Sequence, residues 1–373
     1  MADEPLGYAL VGCGRFGRFC LNTYRTMENM RLVAAADADR ALSKATAEEF
    51  NITPLGSLQD VLRRDDVHLV HIATPPSTHG PFTRQCLEAG KHVLCEKPLA
   101  ISGAEADAIA QISRRTGRKV AVNFILRYSP IVGMVQRILR EKILGEPLHA
   151  CFENYAQDEV LPGSHWFWDK SLSGGIFIEH GVHFFDLYRQ WLGPGTVRWA
   201  TALTRPGTHQ EDRVMCALEF GDALVTHYHG FDQPIRLDRQ RHLILLERGD
   251  IVVNGWIPLE VQVHGVVDDT QRDALAAAVP QGVLRTVKEY PESEQRFRSH
   301  GREHYVTAEV FLDYAIRAPK MDIYGQLIGS LMQDFANSIR TNQRTLVSLE
   351  DAVEAVKMAE AAENLARQRG SNL

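Results

Sequence analysis

The stretch YALVGCGRFG, residues 8–17, decides how the rest of the chain is read. A short apolar run leads into GCGRFG, and helical periodicity continues through Phe19, Cys20 and Tyr24. Glycines spaced GxGxxG between a strand and a helix suit one physical task. Gly12 permits a tight turn, Gly14 lets the backbone approach a pyrophosphate, and Gly17 lets helix and strand pack closely. The amides of Arg15, Phe16 and Gly17 then open the helix toward the phosphates. The next apolar run, RLVAAAD (31–37), ends in Asp37, which lies 20 residues after Gly17. An acid there accepts from the adenosine ribose hydroxyls and repels a 2′-phosphate. The expected cofactor is therefore NAD, with NADP left open by Arg40 nearby.

Outward from this motif, apolar runs and helical stretches alternate. Runs at 67–74, 91–96 and 118–124 read as buried strands, and 40–50, 78–89 and 103–115 read as helices. That alternation predicts a parallel sheet covered on both faces, a Rossmann domain over residues 1–127. Ligands bind such sheets at the carboxyl ends of the strands. ATPPSTHG (73–80) follows one strand and offers Thr74, Pro75, Pro76 and His79 to a cofactor. CEKPLA (95–100) follows the next and presents Glu96 and Lys97. A lysine at that edge is placed to polarise an oxygen.

Composition narrows the classes. The 373 residues allow two domains, and 45% apolar against 24% charged is an ordinary globular balance. A net charge of −6 gives no basic surface for nucleic acid. No apolar stretch reaches the ~20 residues of a membrane span. The six cysteines are scattered without CxxC spacing, so reduced thiols in a cytoplasmic protein are expected, with no zinc site.

A second stretch, GGIFIEHGVHFFD (174–186), places four ionisable groups in an apolar run. Buried charge is costly unless paired, so the stretch lines a cavity or hides a network. On an α-helix, Glu179, His183 and Asp186 share one face as i, i+4 and i+7. Phe184, Leu187 and Trp191 fall toward the core. Histidine titrates near neutral pH, which makes His183 the natural base for a hydroxyl proton. Glu179 then orients His183 or binds a neighbouring hydroxyl, and Lys97 stabilises negative charge on the reacting oxygen. His180 is either a further substrate contact or a core histidine. Asp186 is expected to brace the helix or pair with an arginine. Glu179, His180 and His183 do not have the spacing of HExxH or HxxEH, so no metal is expected.

GCGRFG, Asp37, ATPPSTHG, CEKP and GGIFIEHGVHFFD together resemble, in order and spacing, the glucose-fructose oxidoreductase / inositol dehydrogenase / MocA family. The likeness runs over roughly residues 6–260. It implies a Rossmann domain followed by an α+β domain built on a large open, mainly antiparallel sheet. It also implies NAD(P)-dependent oxidation or reduction of sugars, cyclitols and related polyols. The family's EKP lysine, which contacts the reacting hydroxyl, maps onto Lys97, and the glutamate near the cofactor maps onto Glu96. The Lys97–Pro98 bond is expected to be cis on the same ground. The family's GG-x-x-x-D-x-G-x-H-x-x-D pattern is matched except that Glu179 replaces the usual aspartate.

Residues 128–373 are expected to form the substrate and oligomerisation domain. A helix near 130–142 precedes strands at 148–156, 197–204, 213–220, 223–230, 241–247 and 250–255, with a tight turn at Gly221–Asp222. One face of such a sheet is expected to pair with a second subunit, as a dimer or tetramer. HWFWDKSLSGG (165–175) sets His165, Trp166 and Trp168 before the histidine stretch, a combination that suits a sugar. Arg127 and Tyr155 are further substrate candidates. Residues 265–320 read as an exposed insertion, and 324–340 and 349–368 as amphipathic helices, the second capped by Ser348 and Asp351.

These features predict a nicotinamide-dependent oxidoreductase acting on a secondary hydroxyl of a sugar, sugar derivative or cyclitol. Two alternatives stand beside it. One is a cofactor-dependent glycoside hydrolase working by transient oxidation, elimination, water addition and re-reduction. The other is a non-catalytic dinucleotide-binding sensor.

Overall fold

A computed structural model describes residues 4–370. The opening alternation becomes β1 (Leu6–Val11), α1 (Arg15–Tyr24), β2 (Met30–Ala36), α2 (Arg40–Phe50), β3 (Thr53–Leu55) and α3 (Leu58–Leu62). It continues through β4 (Leu69–Ile72), α4 (His79–Glu88), β5 (His92–Cys95), α5 (Gly103–Thr116) and β6 (Val120–Val122). The strands form a parallel sheet in the order β3-β2-β1-β4-β5-β6. The order reverses between β1 and β4, and the crevice at that point is where such sheets take ligands. β4 and β5 are buried at every position, as strands covered on both faces must be. Helix starts carry side-chain caps: Asp39 on α2, Ser57 on α3 and Ser102 on α5. Each is worth about 1 kcal/mol.

The chain goes on through α6 (Pro130–Arg140), β7 (Pro147–Gln157), α7 (Lys170–Ser173), α8 (Val182–Leu192), β8 (Thr196–Thr204), β9 (Glu211–Phe220) and β10 (Ala223–Gln233). Then come β11 (Arg239–Leu246), β12 (Gly249–Asn254), β13 (Glu260–Val267), α9 (Asp269–Ala278), β14 (Val283–Glu289), β15 (Arg296–Ser299), β16 (Arg302–Tyr305) and β17 (Ala308–Ala315). Two helices, α10 (Lys320–Thr341) and α11 (Leu349–Gly370), follow. Ser348 and Asp351 cap α11 as expected. A nine-stranded sheet has the order β14-β17-β13-β12-β11-β7-β10-β9-β8, and only its β7–β10 pair is parallel. Phe152, Val214, Cys216, Val225 and Ile244 bury one face, while Met215, Leu224 and Leu245 are exposed on the other.

By contact the chain divides into two compact units, each built from more than one segment. The first compact unit takes residues up to Tyr128, then Ser164–Asp186 and Met321–Glu360; the second takes Ser129–Gly163, Leu187–Lys320 and the end of α11. Contact between distant segments sets that division, and no local pattern announces it. Residues 265–320, expected as an exposed insertion, supply strands to the sheet, with β17 lying between β13 and β14. Ala308, Val310 and Leu312 point into the core, but every residue of the edge strand β14 is at least partly exposed. That polarity hid the strand pattern.

Candidate active site

In the first unit, a cleft of about 730 Å³ opens at the β1–β4 crossover. Gly12, Gly14, Arg15, Phe16, Gly17, Asp37, Ala73, Thr74 and Pro75 stand on its walls. Gly12 has φ +101°, and a Cβ there would lie 2.4 Å from the Ala73 carbonyl oxygen. A Cβ on Gly17 would come equally close to the carbonyl of Gly12. Both glycines are therefore demanded by the fold. Gly14 is different: nothing lies within 4 Å of where its Cβ would be, so its smallness leaves the cleft open. Gly14 is also the N-cap of α1, with no side-chain cap, so the first amides of α1 remain donors for an anion.

Asp37 is fixed at the rim. One carboxylate oxygen accepts the Cys13 amide at 2.8 Å and the other accepts the Asp39 amide at 2.8 Å. Ala38, Leu42 and Leu58 add apolar wall beside it. Phosphate-facing amides, a ribose-facing acid and an apolar slot fit a dinucleotide.

Three expected cofactor residues, Pro76, His79 and Glu96, are not among the residues that line the cleft. Pro76 is buried. His79 is buried with one ring nitrogen 2.6 Å from the Pro98 carbonyl and the other 2.7 Å from the Thr74 carbonyl. It braces the loops after β4 and β5. Burial lowers its pKa against the pull of the two carbonyls. Glu96 is buried, and Oε1 is held by His71 and Asn123, each at 2.9 Å.

The catalytic candidates meet in the same unit. Lys97, next to a cis Pro98, donates from Nζ to the Glu179 carboxylate at 2.5 Å and to the Glu179 backbone carbonyl at 2.8 Å. A lysine has three N–H donors, so one remains for a ligand. His183 is buried with its ring edge-on to Phe124 at 6.0 Å. Burial and then the charge of Lys97 push its pKa well below the ordinary histidine value. At neutral pH it is an uncharged imidazole, able to accept a proton. His165 and Trp166 stand on the cofactor cleft with their rings 5.1 Å apart. Burial lowers the pKa of His165, and the charge of Glu179 partly offsets this.

The helix expected through Glu179 begins differently. Phe177–Gly181 winds as a π-helix before α8. Its wider turn changes the angle between successive side chains, so the i, i+4, i+7 face does not hold across it. Glu179 goes to Lys97, whereas Asp186 takes a two-pronged pair with Arg127 at 2.8 and 2.6 Å. Arg127 also reaches Asp351 at 3.2 Å and is itself buried. It stands at the centre of a buried ion-pair cluster. His180 is buried against Phe184, their rings 5.2 Å apart. Trp168 is buried against Phe167, while Trp166 alone of the two tryptophans lines the cleft. Tyr155 has partners of its own. It lies in the second unit on β7, on the opposite face of its strand from buried Asn154. Its hydroxyl donates to Glu153 at 3.0 Å, and Arg239 covers its ring at 4.7 Å.

The sequence reading missed Leu42, Gly56, Ser57 and Leu58 on the cleft, because a three-residue β3 is too short to show a pattern. A Ser57–Asp60 cap spacing was the available signal. It also missed Tyr324, whose ring packs on Phe16 and Phe19 at 5.9 and 5.3 Å. Nothing local marks a residue 300 positions away as part of a dinucleotide unit.

Comparison with known proteins agrees with this architecture. The NAD-binding Rossmann model of an oxidoreductase family matches residues 6–124, and the GFO/IDH/MocA C-terminal domain model matches 132–252. The chain belongs to the GFO/IDH/MocA oxidoreductase family. It is 29% identical over 193 residues to the NAD(+) scyllo-inositol 2-dehydrogenase of Bacillus subtilis (strain 168), covering 51% of this chain and 55% of that one. It is 28% identical over 205 residues to the D-glucoside 3-dehydrogenase of Escherichia coli K12, covering 54% and 58%. The chain thus spans about half the length of the curated relatives it matches. A levoglucosan dehydrogenase solved with NADH and levoglucosan has the same fold, with TM-score 0.77 and 21% identity over 98% of both chains. Among the described residues, no helix is long and apolar enough to cross a membrane.

Proposed function

We propose that the protein is an NAD-dependent dehydrogenase acting on a secondary hydroxyl of a sugar, sugar derivative or cyclitol. The observation that carries this reading is Lys97, held on Glu179 with one donor to spare, in the same compact unit as buried His183. Gly12, Gly14, Arg15, Phe16, Gly17, Asp37, Thr74 and Pro75 would hold the dinucleotide, whose nicotinamide accepts the hydride when bound. Lys97 donates to the substrate oxygen and stabilises its developing negative charge. His183 accepts the hydroxyl proton as the C–H bond gives up its hydride. Glu179 keeps the ammonium aimed. Trp166 offers an aromatic face to the sugar ring, with His165 beside it.

Two further readings complete the proposal. The exposed face of the nine-stranded sheet, with Leu224 and Leu245 both opposite His149 in register, pairs with a second copy of the chain. The six free cysteines, five of them buried, suit a reducing cytoplasm.

The test is to incubate purified protein with NAD or NADP and a panel of sugars and cyclitols, following absorbance of the reduced nicotinamide and analysing products. NADH accumulating with an oxidised sugar supports the dehydrogenase. An aglycone released without NADH makes the protein a redox-neutral hydrolase instead. No turnover despite dinucleotide binding leaves the sensor reading standing.

A further inference from the structure

Beneath the catalytic lysine lies a buried polar cluster that the hydride-transfer scheme does not use. The Tyr8 hydroxyl is 2.7 Å from His71 Nδ1, and His71 Nε2 is 2.9 Å from Glu96 Oε1. Asn123 Nδ2 donates to the same Glu96 oxygen at 2.9 Å. Tyr8 and His71 are completely buried, and Tyr24 and Cys20 close the surroundings with no exposure. Four polar residues brought together inside a parallel-sheet core are expensive unless each proton meets an acceptor.

One order of donation achieves that. The phenol donates to Nδ1, Nε2–H donates to Glu96, and the asparagine amide donates to Glu96. Run the other way, the imidazole donates to Tyr8 and the phenol proton loses its acceptor. In the first order Glu96 Oε1 accepts both N–H groups, a role that a carboxylate, which is an acceptor only, fills with no further proton to place. Burial, with the charge of Glu96 adding to it, keeps the Tyr8 and Tyr24 phenols and the Cys20 thiol protonated.

Glu96 follows β5 directly, and Cys95 pairs with Ile72, the residue before the Ala73–Pro75 wall of the cofactor cleft. An oxidised nicotinamide ring is a cation and a reduced one is neutral. A fixed anion at this strand edge therefore lowers the energy of the oxidised form selectively. We propose that Tyr8, His71 and Asn123 are positioning residues that hold Glu96 as a fixed anion, and that this charge biases the protein toward oxidised over reduced dinucleotide. This inference rests on the nicotinamide-dependent reading above.

Direct binding measurements separate the two. Dissociation constants for NAD+ and NADH are measured by calorimetry on wild type, Glu96→Gln, His71→Leu, Tyr8→Phe and the Glu96→Gln/His71→Leu double variant. Glu96→Gln is expected to shift the ratio of the two constants by on the order of tenfold toward NADH. His71→Leu and Tyr8→Phe shift it the same way by less, and His71→Leu adds nothing in the Glu96→Gln background. Tyr8→Phe deletes one oxygen and keeps the test decisive if His71→Leu does not fold. An unchanged ratio in Glu96→Gln overturns the inference, as does an equal change of both constants in His71→Leu and Tyr8→Phe. Stoichiometric metal in the purified protein overturns it too, since Cys20, His71 and Glu96 offer ligand atoms within 4.8 Å of one another. A wild type that binds neither dinucleotide overturns the nicotinamide reading itself.

Discussion

The ammonium of Lys97 makes two bonds to one residue, to the Glu179 carboxylate at 2.5 Å and to the Glu179 carbonyl at 2.8 Å. The second bond depends on where the π-helix places that carbonyl, so the lysine reads backbone and side chain together. Glu179→Asp, which restores the family's usual aspartate, keeps the backbone contact but shortens the carboxylate's reach by one methylene. Glu179→Gln keeps the reach and removes the charge. Charge-assisted hydrogen bonds contribute about 1.5–3 kcal/mol. The Gln variant is therefore expected to lose about tenfold to a hundredfold in kcat/KM. Steady-state kinetics on both variants check this, and an unaltered Gln variant would remove Glu179 from the machinery.

His183 serves as a base only while uncharged. Burial, then the lysine charge, lowers its pKa, so it stays neutral below the usual histidine range. The expected profile of kcat/KM against pH has its acidic limb below about pH 6.5 and is flat through neutrality. NMR titration of His183 in Lys97→Met is expected to show a higher pKa than in wild type, because one of the two depressing causes is gone. A limb at or above pH 7 would sink the assignment.

Asp37 is oriented by the Cys13 and Asp39 amides with both oxygens engaged. Replacing it with serine removes the charge that opposes a 2′-phosphate. The ratio of kcat/KM for NADP to that for NAD is expected to rise by about tenfold or more. The lost amide contacts cost about 1 kcal/mol of stability. Kinetics with the two cofactors and urea unfolding separate these effects.

Much of this site was legible because its parts are local. A glycine pattern between a strand and a helix needs ten residues, and EKP and the GG…H…D stretch need little more. What was illegible depends on long-range contact. Arg127 looked like a ligand-binding cation, but Asp186 and Asp351 come from segments far along the chain. His71 read as one more apolar-strand residue, and only the fold sets Tyr8 on one side of it and Glu96 on the other. β14 shows no strand pattern in the sequence because an edge strand exposes both faces.

The Arg127–Asp186 pair is almost wholly buried, with side-chain exposures of 7% and 1%. Removing one partner strands the other charge in the interior, at a cost of about 3–5 kcal/mol. Arg127→Leu is expected to lower the unfolding free energy by that amount. The dissociation constant for NAD should stay within about twofold, since Arg127 is absent from the cleft wall. Urea unfolding and calorimetry measure the two quantities. A large loss of NAD affinity with unchanged stability would return Arg127 to the binding site.

The second unit contains an acid-labile device. His227, His229 and His242 are fully buried around Phe152, with Tyr188 donating to the Cys151 carbonyl beside them. Burial drives the pKa of His229 and His242 down to about 3, and that of His227 well below the usual value. In the unfolded chain all three protonate near pH 6.5. Below that pH the unfolded state binds more protons, so stability falls as pH falls. It is fully present above pH 6.5 and is lost progressively toward pH 3. Each histidine contributes a slope of about 1.4 kcal/mol per pH unit inside that window. Unfolding free energies measured in urea between pH 7 and pH 5 are expected to drop steeply. His229→Phe, whatever it costs in packing at pH 7, is expected to remove about one proton from the slope. A slope identical to wild type would mean that His229 protonates equally in the folded and unfolded chain.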